Sequence, residues 1–342
     1  MDQVVFGIPA ILWLAGALAM YMAWAIGAND VANAMGTSVG SGALTIRQAV
    51  MIAAVLEFCG ALFVGGHVTD TVRKGMLDMS AIQGHEELML YGMLGALASA
   101  GSLLLIATAY GLPISTTHSI VGSIVGFGAV AFGVDAVNWA KVVEILASWV
   151  TSPLLGGVMA YIVFNLVRRS ILDRDDPMAA AKTVGPFFFF FVTFIIALVT
   201  LFKGLKNLKL DLDLPEALLW STVAGIVGGI VGRVFLKRVK PTDADAKDRY
   251  RGVERVFVVL QIMTACAVAF AHGSNDVANS IGPLAAIKTV VDGVDLTQKA
   301  PVELWMLVIG GVGIVFGLAT MGYRVMATIG EKITELTPSR GF

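Results

Sequence analysis

The chain has 342 residues, of which 57% are hydrophobic and 14% are charged, and its mean hydropathy is +0.80. Soluble domains carry about 25% charged residues, so this composition excludes a water-soluble fold and favours a protein embedded in a lipid bilayer. A net charge of −1 excludes the strongly basic surface expected of a nucleic-acid-binding protein.

Nine apolar stretches are long enough to cross a bilayer, for which a helix needs about 20 residues. They lie near 4–26, 46–66, 88–110, 115–134, 142–167, 186–203, 215–236, 253–272 and 302–322. The first stretch is too long for a signal-peptide core and lacks a basic leader, so we interpret it as a retained spanning helix. The pattern predicts an all-α polytopic membrane protein.

The pentapeptide Asn-Asp-Val-Ala-Asn occurs at Asn29–Asn33 and again at Asn275–Asn279, 246 residues later. A motif present in both halves is typical of secondary transporters built from internal repeats. Segments 29–44 and 275–290 begin with the motif, are short for a span and are interrupted by glycine or proline. Irregular backbone at membrane depth must be buried in protein or line a cavity, so we predict two re-entrant hairpins on broken helices.

The motif also predicts a cation site. An uncompensated Asp30 or Asp276 would cost at least about 2.5–3.5 kcal/mol at the bilayer centre, and a bound cation would remove that cost. The neighbouring amides add neutral oxygen ligands that suit a hard ion; they belong to Asn29, Asn33, Asn275 and Asn279. The alternative is that these residues cap helix ends, but the duplication favours ion binding.

Glu57 lies within the apolar stretch 46–66. An acidic residue inside a span is a candidate ion ligand or proton carrier. The alternative is a structural carboxyl group that is hydrogen-bonded to a neighbouring helix.

The segment at Gly111–Ser123 reads GLPISTTHSIVGS and combines a helix-breaking proline with a cluster of hydroxyl side chains. A helix that begins after Pro113 offers free N–H groups and the positive end of its dipole to an anion. Ser115, Thr116 and Thr117 would supply further donors, although such a cluster is also a common N-cap. Carboxylate-held cations beside a hydroxyl-lined helix end indicate a cation–anion symporter.

Loop charges predict the orientation. Loops 168–185 and 237–252 together hold ten basic residues, whereas the loop between them, 204–214, holds two. The positive-inside rule places the two basic loops in the cytoplasm and, by counting helices, the N-terminus outside. The two motif copies then enter the membrane from opposite faces, as two inverted repeats require.

The motifs resemble those of the inorganic phosphate transporter family, whose members are sodium- or proton-coupled symporters. The resemblance rests on GANDVANAMGTSVGSGALT, GSNDVANSIGPLAAI, LPISTTHSIVG and the late LTPSRGF, in order along nearly the whole chain. It implies that phosphate and the coupling ion move inward together through two inverted halves, and that the protein is a homodimer. It also implies central roles for both motif copies, for Glu57 and for the hydroxyl cluster.

The resemblance implies a domain organisation as well. Residues 1–167 form the first half, with the hairpin at 29–44 and the hydroxyl motif at 113–119. Residues 168–252 connect the halves, and residues 253–342 form a second half with its hairpin at 275–290. That family's second half continues past TPSRGF to another acidic residue and a second hydroxyl motif, so we interpret this half as truncated.

We therefore expect a phosphate importer of the plasma (inner) membrane that is driven by sodium, with no cofactor and no enzymatic activity. The phosphate ligands are predicted to be Ser115, Thr116, Thr117, Asn33 and Asn279. The sodium ligands are predicted to be Asn29, Asp30, Asn275, Asp276 and Glu57. The alternatives are a proton-coupled phosphate or sulfate symporter and a cation exchanger of similar architecture; a membrane-embedded hydrolase is disfavoured because no nucleophile–base spacing is recognisable.

Overall fold

A computed structural model describes residues 4–5, 8–67, 76–78, 82, 84–201, 212–239, 250–294, 302–332 and 336–342. Its α-helices are α1 (Ala10–Gly40), α2 (Ile46–Val64), α3 (Glu86–Ala109), α4 (Thr116–Phe132), α5 (Trp139–Val167), α6 (Pro177–Val199), α7 (Leu214–Arg238), α8 (Arg251–Val291), α9 (Leu304–Thr320), α10 (Gly322–Lys332) and α11 (Pro338–Gly341). Short 3₁₀ turns cover Gly65–His67 and Val134–Ala136, and a π turn at Arg168–Leu172 extends α5. The strands β1 (Val4–Val5) and β2 (Ile8–Pro9) form an antiparallel pair near the N-terminus.

Seven of the described helices are long and apolar enough to cross a membrane: α1, α2, α3, α5 with its π turn, α6, α7 and α8. An eighth candidate is the pair α9 and α10, which bend by 59° at their junction. The predicted span near 115–134 corresponds to the shorter, 17-residue apolar helix α4. The chain is thus an all-α polytopic membrane protein.

The sequence predicts that the helices stop before the repeated motif, but in the structure they continue through it. α1 runs without interruption through Asn29–Asn33, and α8 runs through Asn275–Asn279 and past Pro283. The predicted hairpins at 29–44 and 275–290 are therefore wrong as local structure, since residues 29–40 and 275–290 continue long helices. Each unsatisfied backbone group costs several kcal/mol in lipid, whereas an interior glycine costs about 1 kcal/mol and a proline about 3 kcal/mol, so the helix persists.

The chain divides into two compact units. Unit 1 comprises residues 1–36, 46–145 and 268–333, and unit 2 comprises residues 37–45, 146–267 and 334–342. In unit 2, α6 packs along α7. Five consecutive phenylalanines occupy residues 187–191. Phe188 and Phe189 are buried in the core, while Phe187 and Phe191 are exposed. The core of unit 2 consists of Val167, Ile171, Ala181, Phe188, Phe189, Val192, Leu236, Val253, Val256, Phe257 and Leu260.

The C-terminal segment of unit 2 is fixed to α8 by hydrogen bonds. The backbone N–H and the hydroxyl of Ser339 donate to the two carboxylate oxygens of Glu254, at 2.8 and 2.7 Å. Gln261 lies two turns after Glu254 on α8. It donates to the carbonyl of Thr37 at 3.0 Å and accepts from Ser41 at 2.7 Å. These contacts hold the C-terminal end of α1 and the late TPSRGF motif against the same helix.

Glycines allow four helices of unit 1 to approach at backbone distance. A Cβ atom built on Gly273 of α8 would lie 2.1 Å from the carbonyl oxygen of Glu57 in α2, and one on Gly60 would lie 2.1 Å from that of Phe270. Glycines also allow α1 and α9 to cross at backbone distance. There, a Cβ on Gly27 would lie 1.9 Å from the oxygen of Ile314, and one on Gly317 would lie 2.0 Å from that of Trp24. We call these two sets the reciprocal glycine contacts; each places a glycine on both helices of the pair.

Candidate functional site

Four helices of unit 1 bring ionisable and hydroxyl side chains together at the repeated motif. α1 contributes Asp30, α2 contributes Glu57, α4 contributes Thr116, and α8 contributes His272 and Asp276. Glu57 is fully buried, Asp30 is 6% exposed and Thr116 is 1% exposed. The predicted acidic residues, which are far apart in the sequence, therefore form one cluster.

His272 lies at the centre of the three carboxylates. Its Nε2 atom is 2.7 Å from Asp276 Oδ2 and 3.5 Å from Asp30 Oδ2, and its Nδ1 atom is 3.2 Å from Glu57 Oε1. His272 and Asp276 are four residues apart on α8 and so share one helix face. Gly273 makes the contact with Glu57 possible, because a side chain there would collide with the backbone of α2.

His272 is not among the site residues predicted from the sequence, although the sequence contains a signal for it. The first copy of the motif is preceded by AIGA and the second by AHGS, so an isoleucine at 26 corresponds to a histidine at 272. Comparing the two copies position by position reveals an extra polar residue one helical turn before Asp276. The repeat is thus chemically asymmetric at this position.

Each motif aspartate accepts a hydrogen bond from the asparagine three residues later. Asn33 Nδ2 donates to Asp30 Oδ1, and Asn279 Nδ2 donates to Asp276 Oδ1 at 3.2 Å. Thr116 Oγ1 donates to the other oxygen of Asp30 at 2.9 Å. The spacing of the pentapeptide therefore fixes one oxygen of each carboxylate and leaves the second oxygen directed towards His272.

Asn29 joins α1 to the break between α3 and α4. Its Nδ2 donates to Thr108 Oγ1 at 2.9 Å and to the carbonyl of Leu112 at 3.0 Å, while its Oδ1 accepts from the N–H of Ile114 at 3.0 Å. Both amide donors and one acceptor position are therefore engaged in holding the backbone that leads into α4. Its counterpart Asn275 is exposed and has no hydrogen bond to the acidic cluster among the described residues.

The three clustered hydroxyl groups have different partners. Ser115 is the N-cap of α4, and its Oγ accepts from the N–H of His118 at 3.3 Å. Thr116 binds Asp30, and Thr117 Oγ1 accepts from Asn279 Nδ2 at 3.4 Å. The N-terminus of α4 thus contacts both copies of the motif, one through each threonine.

The charge of the cluster is unbalanced within the described residues. Three carboxylates surround a single imidazole, and none of them forms an ion pair with a described lysine or arginine. Buried charges require compensation, and in a membrane-spanning segment this requirement is severe. The arrangement can hold a cation with the carboxylate oxygens and present helix N–H groups and hydroxyls beside it.

Comparison with known proteins identifies the family of the chain. A profile of the phosphate transporter family matches residues 26–342. A candidate phosphate permease of Haemophilus influenzae is 41% identical over 97% of this chain and 79% of the relative, and one of Pyrococcus furiosus is 47% identical over 95% and 77%. The solved structure of a sodium-dependent phosphate transporter superposes with a TM-score of 0.86 at 41% identity, over 97% of this chain and 81% of that one. The chain therefore belongs to the phosphate transporter family, whose members are transporters rather than enzymes.

Proposed function

We propose that this protein is a secondary active symporter that imports inorganic phosphate together with sodium by alternating access. The observation that carries the proposal is the cluster of Asp30, Glu57 and Asp276 around one imidazole, beside the hydroxyl-lined N-terminus of α4. Family membership supports phosphate as the substrate. The similar solved structure, that of a sodium-dependent transporter, supports sodium as the coupling ion.

Sodium ions are assigned to the carboxylate oxygens of Asp30 and Asp276, with Glu57 as the third acidic group. Oxygen ligands of this kind suit hard cations. Asn29 and Asn275 are assigned to the cation site because they belong to the repeated motif. The hydrogen bonds of Asn29 support a positioning role for this residue. Its amide holds the entry to α4 in place and so aligns Thr116 with Asp30.

Phosphate is assigned to the N-terminal turn of α4 together with Asn33 and Asn279. The backbone N–H groups of this turn and the hydroxyls of Ser115 and Thr117 are donors, which an anion with one to two negative charges at neutral pH requires. Thr116 contributes its backbone N–H, because its hydroxyl donates to Asp30. Asn279 supports the coupling of the two ligands, because its amide contacts Asp276 and Thr117 at once. Bound sodium lowers the negative charge that phosphate would otherwise meet.

The same proposal includes the architecture in which transport takes place. Two inverted repeats, the first within residues 1–167 and the second within 253–342, are joined by 168–252, and one moves relative to the other. The N-terminus is assigned to the outside of the plasma (inner) membrane. The protein is assigned as a homodimer. In support, only 6% of the most apolar stretch of α5 is buried among the described residues, which leaves a long apolar surface for a second copy.

Radiolabelled phosphate uptake into proteoliposomes that contain this 342-residue chain tests the proposal. We expect accumulation with an inward sodium gradient and none with a matched potassium gradient. Proton-driven uptake without sodium would instead support the proton-coupled alternative. Sodium flux that is independent of phosphate would support the cation exchanger.

A further inference from the structure

Four helix ends meet at one end of unit 2. Buried residues from the end of α5, the start of α6, the end of α7 and the start of α8 belong to the same core; they include Ile171, Ala181, Leu236 and Val253. Helices α6 and α7 approach closely there, because a Cβ atom on Gly185 would lie 2.6 Å from Leu236 Cδ1. The charged residues that flank these helix ends therefore lie on one side of the unit.

This end of unit 2 is strongly basic. Within 168–182, 233–238, 250–255 and 339–340, all of which the structure describes, ten residues are basic and four are acidic. The basic residues are Arg168, Arg169, Arg174, Lys182, Arg233, Lys237, Arg238, Arg251, Arg255 and Arg340, and the acidic residues are Asp173, Asp175, Asp176 and Glu254. At the other end of α7 the described charged residues, Asp213 and Glu216, are both acidic. A basic helix end at a bilayer surface attracts anionic lipids.

Arg233 lies inside α7 rather than at its end. It precedes the last residue of the helix, Arg238, by five positions, which correspond to a rise of about 7.5 Å. Both Arg233 and Lys237, which follows it after one helical turn, are exposed. Neither forms an ion pair with another residue in the part of the chain that the structure describes. A cationic side chain within a span needs an anionic partner or must extend to the interface.

Arg233 and Lys237 lie at the end of an exposed apolar stripe on α7. Four apolar residues precede them at alternating steps of four and three positions, so all six share one face of the helix. The apolar members are Leu219 (63% exposed), Val223 (43%), Ile226 (51%) and Ile230 (59%). From Leu219 to Ile230 the helix rises by about 16 Å, which is close to half of the roughly 30 Å hydrocarbon core of a bilayer. The stripe therefore matches the length of an acyl chain in one leaflet.

We propose that this face of α7 binds one anionic phospholipid, with its phosphate on Arg233 and Lys237 and an acyl chain along the apolar stripe. The guanidinium of Arg233 can donate two parallel N–H bonds to phosphate oxygens, and the Lys237 ammonium adds a second positive charge. A free anion would use only the two cations, whereas a lipid also covers the apolar residues that continue from them. All of these residues belong to unit 2, and the inference does not depend on what the protein transports.

Native mass spectrometry of the purified full chain tests this proposal, because it counts the lipids that each protein molecule retains. The chain is titrated with dioleoylphosphatidylglycerol or with dioleoylphosphatidylcholine, which differ in net charge but carry the same acyl chains. Each basic residue near an anionic lipid contributes about 5-fold in affinity, so we expect wild type to prefer one phosphatidylglycerol by about 25-fold.

Two double variants separate a defined site from general attraction to the basic end. Arg233→Gln with Lys237→Gln should remove most of the preference. Arg251→Gln with Arg340→Gln removes the same charge from the same end of unit 2, outside the stripe, and should retain most of it. All four positions are exposed, so we expect both variants to keep the melting temperature of the wild type.

Equal retention of the two lipids by the wild type would overturn the proposal without the need for a variant. Equal losses in the two double variants would also overturn it, because they would show diffuse attraction in place of a site on α7. Millimolar inorganic phosphate should leave the bound phosphatidylglycerol in place. Its displacement by phosphate would identify an anion site that makes no use of the apolar stripe, and would overturn the lipid assignment.

Discussion

The side-chain oxygen of Asn29 accepts a hydrogen bond from the backbone N–H of Ile114, 85 residues later in the chain. The N–H of Ile114 belongs to the short non-helical segment between α3 and α4, where backbone groups lack helical partners. An amide on α1 thus completes the backbone hydrogen bonding of the segment that precedes the hydroxyl cluster. The motif residue adjacent to the proposed ion ligand therefore also shapes the proposed phosphate site.

Replacing Asn29 by alanine should destabilise the protein and reduce phosphate uptake. The change removes three hydrogen bonds at a buried position, each with a net contribution of about 1 kcal/mol, and takes from the N–H of Ile114 its acceptor. We expect a loss of roughly 2–4 kcal/mol, measured by unfolding in detergent. Asn165→Ala removes one exposed hydrogen bond on α5 and should change stability by less than about 0.5 kcal/mol; comparable losses in both variants would contradict the role of Asn29.

Replacing Thr116 by valine should weaken sodium activation of uptake. The substitution keeps the shape of the side chain but removes the hydroxyl that donates to Asp30 Oδ2. Hydrogen bonds to charged groups contribute about 1.5–3 kcal/mol, so the half-saturating sodium concentration should rise about 10-fold or more. Thr116→Ser restores the donor and should recover most of the affinity; a serine variant as weak as valine would argue against the hydroxyl.

Replacing Asn279 by alanine should change the apparent affinities for sodium and phosphate together. Its amide contacts Asp276 Oδ1 and Thr117 Oγ1, which belong to the two proposed ligand sites. We expect both half-saturation constants to rise by about 5-fold or more, as loss of about 1 kcal/mol per hydrogen bond predicts. Uptake measured as a matrix of sodium and phosphate concentrations checks this, and a change in one constant only would show that Asn279 serves a single site.

Replacing Gly273 by alanine should destabilise unit 1 and separate Glu57 from His272. The new Cβ would lie 2.1 Å from a backbone oxygen of α2, and backbone atoms cannot move aside as a flexible side chain can. Overpacking of this kind costs about 1–3 kcal/mol or more. A Cβ atom added at Gly95 on α3 has no neighbouring atom within 4 Å. Gly95→Ala should therefore leave stability unchanged or raise it by up to about 1 kcal/mol. Equal melting temperatures for the two variants would show that the helices can separate at little cost.

Residue type and position were sufficient to single out the acidic residues of the cluster but not to predict its geometry. Asp30, Glu57 and Asp276 could be predicted as partners because an isolated carboxylate in an apolar span is costly whatever the fold. The course of α1 and α8 could not be predicted from Gly36 and Pro283. Breaking a helix in lipid is more costly than the low helix propensity of either residue, so these residues alone do not indicate where a helix ends.

His272 and Asn29 show what else depends on tertiary structure. The importance of His272 follows from its distance to Glu57, which is set by a glycine contact between helices that are remote in sequence. Asn29 was assigned to an ion because its neighbours are acidic. Its hydrogen bonds to the α3–α4 segment could not be foreseen without knowing that this segment lies beside α1.

The reciprocal glycine contacts constrain how the cluster can open during transport. α2 and α8 are in backbone contact on either side of Glu57 and His272, so these two residues must travel as one body. α1 is held in the same way to α9, with Gly27 just ahead of its motif. α9 also packs on the first pair, because a Cβ on Gly311 would lie 2.9 Å from Phe58 and one on Gly310 would lie 2.5 Å from Val277. All four helices are therefore locked around the cluster, and we expect Asp30, Glu57 and His272 to keep their spacing when other parts of the protein move.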